Sequence, residues 1–121
     1  MLIDDDPVYG AIIQKLAGLG GIQLTYVRLV RDWDWKTYPL FDVVVVDYDL
    51  STMSGVQLVR SLEKLYRPVP TLLISNYKQI PVDSGFPGEN FISKTVGPQR
   101  ILFAALKAAE EKPKNILCAA G

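Results

Sequence analysis

The sequence contains no histidine. That absence excludes every mechanism built on an internal imidazole: Ser-His-Asp triads, His-ligated zinc and histidine phosphocarriers. A single cysteine, Cys118, excludes an internal disulfide and fits a reducing compartment, so a cytoplasmic location is expected. Neither charge sign is in excess, with 13 basic against 13 acidic side chains. The basic face of a free-standing nucleic-acid binder is therefore missing, and no direct nucleic-acid contact is expected. No apolar run reaches membrane-spanning length and no secretory leader is visible, so no membrane role is expected. What remains is 121 residues with 49% hydrophobic and 21% charged side chains. Such a chain forms one globular domain whose core needs neither a disulfide nor a structural metal.

Along the chain, apolar and polar stretches alternate in a regular order. Met1-Leu2-Ile3 reads as a strand that stops at Asp4-Asp5-Asp6-Pro7, and a strand opening on the first residue suggests that a few residues precede it in the complete protein. Asp6 is a helix N-cap with Pro7 at the first helical position. Val8, Ile12, Leu16 and Leu19 follow at helical spacing, and Gly18, Gly20 and Gly21 close the helix. Residues 22–30 read as a second strand, and residues 31–38 leave room for only a short helix before Pro39. Trp33 and Trp35 stand two apart and cannot share one helical face. Val43-Val44-Val45-Val46, with no polar alternation, implies burial on both faces, as in a central parallel strand. Ser54 caps a helix with Leu58, Leu62 and Leu65 on its inner stripe. Residues 71–74 and 90–93 read as further strands, ending at Ser75-Asn76 and Lys94. Pro98 opens the last helix, with Ile101, Ala105 and Ala109 beside Leu102 and Leu106, and Pro113 stops it. The domain therefore spans 1–112, and 113–121 reads as a tail or linker stub.

Strands alternating with helices indicate an α/β domain with a doubly wound parallel sheet. Ligands in such sheets sit at the carboxyl ends of the strands. That rule gathers Asp4, Asp5, Asp47, Ser75 and Lys94 around one pocket. Three clustered carboxylates need a cation, and a hard divalent ion such as magnesium suits an oxygen-only donor set. A metal, a lysine and a hydroxyl around an exposed carboxylate are the parts that stabilise a phosphoryl group in transfer, and the carboxylate itself can be the nucleophile.

These motifs together resemble the receiver (phosphoacceptor) domain of two-component response regulators. The resemblance runs through Asp4-Asp5-Asp6-Pro7 after an apolar strand, VVVVDYDLSTMSG at 43–55, LLIS at 72–75 and FISK at 91–94. It implies a flavodoxin-like (βα)5 fold, a five-stranded parallel sheet in the order 2-1-3-4-5. It also implies that Asp47 accepts phosphate from a histidine kinase or phosphotransfer protein. Asp5 would ligate magnesium directly, Asp4 through water, and Asp49 through its backbone carbonyl. Ser75 and Lys94 would hold phosphoryl oxygens, helped by the backbone N–H of Asn76, and Phe91 falls at the family's aromatic switch position. An output domain beyond Gly121 is a further implied partner.

The sequence also departs from the family. Thr95 follows Lys94 where the family keeps a cis proline; a cis bond before threonine is costly, so the loop after Lys94 is expected to be built differently. Ser51 replaces a common proline, and Asn76 is larger than the usual residue and is expected to narrow access. The segment 77–89 carries Pro81, Gly85, Pro87 and Gly88, so the fourth helix is expected to be short or absent. The usual partner surface is then incomplete, and a homodimer through Ala104, Ala105, Ala108 and Ala109 of the last helix is an expected association. A competing reading is a degenerate receiver that serves as a non-phosphorylated interaction module. A second is a haloacid-dehalogenase-like phosphatase with Asp49 as acid/base, though in that family the paired acids follow the lysine.

Overall fold

The computed structural model describes residues 1–77 and 90–110. Five short parallel strands form one sheet in the order β2-β1-β3-β4-β5, as expected. They are β1 (Leu2–Ile3), β2 (Tyr26–Val27), β3 (Val44–Asp47), β4 (Thr71–Ser75) and β5 (Phe91–Ser93). Three α-helices flank them: α1 (Pro7–Leu19), α2 (Gly55–Leu65) and α3 (Pro98–Glu110). In β3, side chains alternate between the two faces, and both are covered. Val44 and Val46 join Ile3, Leu73 and Tyr38 on one side; Val45 joins Leu2, Leu72 and Ile74 on the other. Burial on both faces explains the unbroken valine run.

The helix starts obey local chemistry. Asp6 Oδ1 accepts from the N–H of Val8 at 2.9 Å and of Tyr9 at 3.3 Å, with Pro7 in the first turn. Ser54 and Gln57 form a reciprocal capping box at the start of α2.

Three expectations need correction. In α1 the sheet-facing side is Gly10, Ile13 and Ala17, while Val8, Ile12 and Leu19 are exposed. Close approach selects the small residues, because a Cβ at Gly10 would stand 2.2 Å from the Tyr26 ring. That ring crosses under the helix, and its hydroxyl reaches the Asp4 carbonyl at 2.7 Å and the Asp6 carbonyl at 3.1 Å. In α2, Leu58 and Leu62 are buried but Leu65 is exposed at the last turn. The second strand is only Tyr26–Val27, because β2 is an edge strand whose one partner is β1.

Instead of a second helix, residues 30–40 form two 3-10 turns, Val30–Asp32 and Trp35–Leu40, the latter containing Pro39. Tyr38 is fully buried there, and Trp33, Trp35 and Phe41 pack beside it. On α3, Ile101 and Ala105 are buried while Ala104 and Ala108 pack against the same cluster, so these alanines serve the sheet contact. The fourth-helix segment lies outside the described residues beyond Tyr77, and so does the tail from residue 111.

Candidate functional site

The carboxyl ends of β1, β3 and β5 meet at one end of the sheet. Register does this directly: Ile3 pairs with Val46 and Ser75 with Ser93, so Asp4, Asp47 and Lys94 each stand one step beyond or at a paired end. Carboxylate oxygens of Asp4, Asp5 and Asp47 all lie within 4.8 Å of one another. Asp4 is wholly buried and Asp47 nearly so, while Asp5 is half-buried.

Lys94 enters this cluster as its cation. Its ammonium lies 2.8 Å from Asp4 Oδ2 and 3.3 Å from Asp47 Oδ2. The ammonium also lies over the Tyr9 ring, 4.5 Å from the centroid. Asp4 Oδ1 meanwhile accepts from the Asp6 N–H at 2.9 Å.

The electrostatics follow from one lysine among three acids. Burial pushes Asp47 up to about 6, with Asp4 adding to the rise and Lys94 opposing it. For Lys94 burial works against the charge, but the contacts to Asp4 and then Asp47 outweigh it and hold the ammonium above its ordinary range. The Tyr9 hydroxyl is raised to about 12 by burial, then by Asp4 and Asp47. The residual negative charge fits a divalent cation, since the donors are oxygens only and their spacing is close enough to share one ion.

The remaining expected residues surround this centre. Ser75 is buried at the end of β4, its Oγ accepting from the Tyr77 N–H at 3.2 Å. Asn76 is exposed in the bend that follows. Asp49 is exposed two residues past Asp47, and its N–H makes a long contact to Asp47 Oδ1 at 3.4 Å. Phe91 is half-buried on β5 and packs against the cluster that contains Leu73. After Lys94 the chain makes a 3-10 turn through Val96, capped by Ser93. The Lys94–Thr95 peptide is trans, and Gly97 takes φ 96° to leave the turn. The residue after Lys94 thus stands in a trans-linked 3-10 turn.

Four neighbours complete this site, of which only Gly55, as the end of the 43–55 motif, was marked in the sequence. Ser51 donates to Asp5 Oδ2 at 2.6 Å, giving the residue in the proline position a partner. Tyr26 clamps the acidic loop from below, and a glycine inside a helix was the available signal for it. Gly55 lets α2 start against the strand end: a Cβ there would stand 2.2 Å from the Asp47 carbonyl oxygen. Tyr9 beneath Lys94 had no sequence signal at all.

Against known proteins, no family model and no curated protein matches the chain. Solved structures do. A CheY-like response regulator receiver domain from Methanospirillum hungatei aligns with TM-score 0.76 at 16% identity, covering 92% of each chain. The receiver domain of a Francisella response regulator aligns with TM-score 0.69 at 18% identity, covering 93% of this chain and 96% of its own. A Burkholderia pseudomallei response regulator, solved with a phosphorylated aspartic acid and a calcium ion, aligns with TM-score 0.67 at 23% identity over 91% of this chain and 67% of that one. The chain therefore has the CheY-like receiver fold.

Proposed function

We propose that this chain works as a response regulator receiver domain, taking a phosphoryl group onto Asp47 from the phosphohistidine of a histidine kinase or phosphotransfer protein. The observation that carries this reading is the Asp47 carboxylate at the carboxyl end of the central strand, grouped with Asp4 and Asp5 and touched by Lys94. An Asp47 oxygen attacks phosphorus, the P–N bond breaks, and its electron pair departs with the donor imidazole, which takes a proton from solvent. The product is an aspartyl phosphate. Because this chain has no histidine, the donor must come from outside it.

Asp4, Asp5 and Asp47, with the Asp49 carbonyl, would hold magnesium, which when bound supplies positive charge to the phosphoryl oxygens. The Lys94 ammonium neutralises a phosphoryl oxygen as it moves off Asp47, and the Ser75 hydroxyl and Asn76 N–H donate to the others. Phe91 is the residue whose packing answers the movement of Ser75. A phosphorylated aspartic acid in the Burkholderia relative supports the chemistry. The reading carries a cytoplasmic location and an output domain or separate target; among the described residues no helix is long and apolar enough to cross a membrane. An interaction-only module is disfavoured because all three acids and the lysine are present and assembled.

Incubation with acetyl phosphate and magnesium is expected to add one phosphoryl group by intact mass, and Asp47→Asn is expected to abolish it. Unchanged labelling of Asp47→Asn overturns the assignment.

A further inference from the structure

Tyr9 stands in the first turn of α1 with its hydroxyl oxygen buried and without a hydrogen-bond partner among the described residues. A buried tyrosine ordinarily satisfies that group, so the hydroxyl does not explain the residue. The ring does have a partner: its face meets the Lys94 ammonium 4.5 Å from the centroid. That ammonium has two competing anions. Asp4 is nearer, at 2.8 Å, and wholly buried; Asp47 is at 3.3 Å. A lysine on a flexible stem with only these two partners collapses onto the closer and drier one. An aromatic face is a third attraction on the cation, in addition to the two carboxylates.

We propose that Tyr9 is a positioning residue for phosphoryl transfer, its ring face holding the Lys94 ammonium within reach of Asp47 against the pull of Asp4. The inference rests on Asp47 as phosphoacceptor, but the ring–ammonium contact is measurable without it. The contact needs an aromatic ring and not the hydroxyl, so Tyr9→Phe keeps it while Tyr9→Leu and Tyr9→Met fill the space without it.

Two measurements on the full chain test this. In the first, labelling by acetyl phosphate with magnesium is followed by intact mass. Tyr9→Phe is expected within about twofold of wild type, and Tyr9→Leu about tenfold slower, the size of one partly desolvated cation–ring contact. Tyr9→Met replaces Tyr9→Leu if the latter does not fold. In the second, the Lys94 ammonium resonance is recorded in metal-free protein. The ring current is expected to move it upfield in wild type and Tyr9→Phe relative to either aliphatic variant. Wild-type labelling of the aliphatic variants, a Tyr9→Phe as slow as they are, or an ammonium shift common to all variants overturns the proposal. A wild type that takes no phosphoryl group while keeping the shift instead overturns the receiver reading and leaves the contact standing.

Discussion

The two faces of the sheet are covered by different means. One carries α1 and α3, two regular helices of 13 residues, with small buried positions Gly10, Ala17 and Ala105 letting their axes come close. The other carries α2 and, among the described residues, no second α-helix; two 3-10 turns and the residues flanking them bring Tyr38, Trp33, Trp35 and Phe41 onto the strands. The difference teaches that a strand face needs apolar volume, not a helix. Aliphatic side chains supply most of it on both sides, and on the second a buried tyrosine and its flanking rings take the place of a helix. A few large rings also concentrate the energy of packing in few residues.

That concentration can be broken first at Tyr38, which has no exposed surface. Tyr38→Ala is expected to cost about 3–5 kcal/mol in urea unfolding, at the upper end for core truncations. Ile101→Ala on the helical face should cost less, about 2–4 kcal/mol. Equal losses would mean that both faces share their load alike.

The helical face depends instead on close approach. Gly10→Ala puts a methyl group into the Tyr26 ring and releases its hydroxyl from the Asp4 and Asp6 carbonyls. It is expected to destabilise by about 1–3 kcal/mol, despite the better helix propensity of alanine. Gly18→Ala in the same helix meets nothing within 4 Å and should gain up to about 1 kcal/mol. Thermal unfolding of the two variants, with opposite signs, checks this.

A pH-dependent effect lies at the acidic end of the strands. Asp47 titrates near 3.8 when unfolded and at about 6 when folded. Between those values the folded chain keeps a proton that the unfolded chain has lost. Stability of the metal-free protein therefore falls as pH rises through about 4 to 6, and the loss is complete above that window. With allowance for solvent screening, Asp47→Asn should recover about 1–2 kcal/mol at pH 7 and nothing at pH 3. A pH series of urea midpoints for both proteins reads it.

Much of the fold was legible because local chemistry dictated it. The Val43–Val46 run, the Asp6-Pro7 and Ser54 caps, and the polar residues ending the first, third, fourth and fifth strands identify the sheet and its reactive end without reference to tertiary structure. The stripe of α1 was misread because hydrophobic spacing selects Val8 and Ile12, whereas the sheet selects whatever is small enough to sit over Tyr26. The region of Trp33 and Trp35 read as a cramped helix; its actual 3-10 turns answer to Pro39 and to the space that Tyr38 must fill. Of the site, the acids and Lys94 were visible as strand ends. Tyr9, Tyr26 and Ser51 were not, since each acts through a contact that only the folded chain creates.

Gly55 has a mechanical consequence. With no room for even one carbon between the helix start and the Asp47 carbonyl, and with the Gly55 N–H donating to the Tyr48 carbonyl at 2.7 Å, the strand end and the first turn of α2 are in direct backbone contact. A shift of the Asp47 carbonyl toward α2 would therefore meet the backbone of its first turn directly. The reactive end of β3 thereby abuts the start of an 11-residue helix that runs to the exposed Leu65.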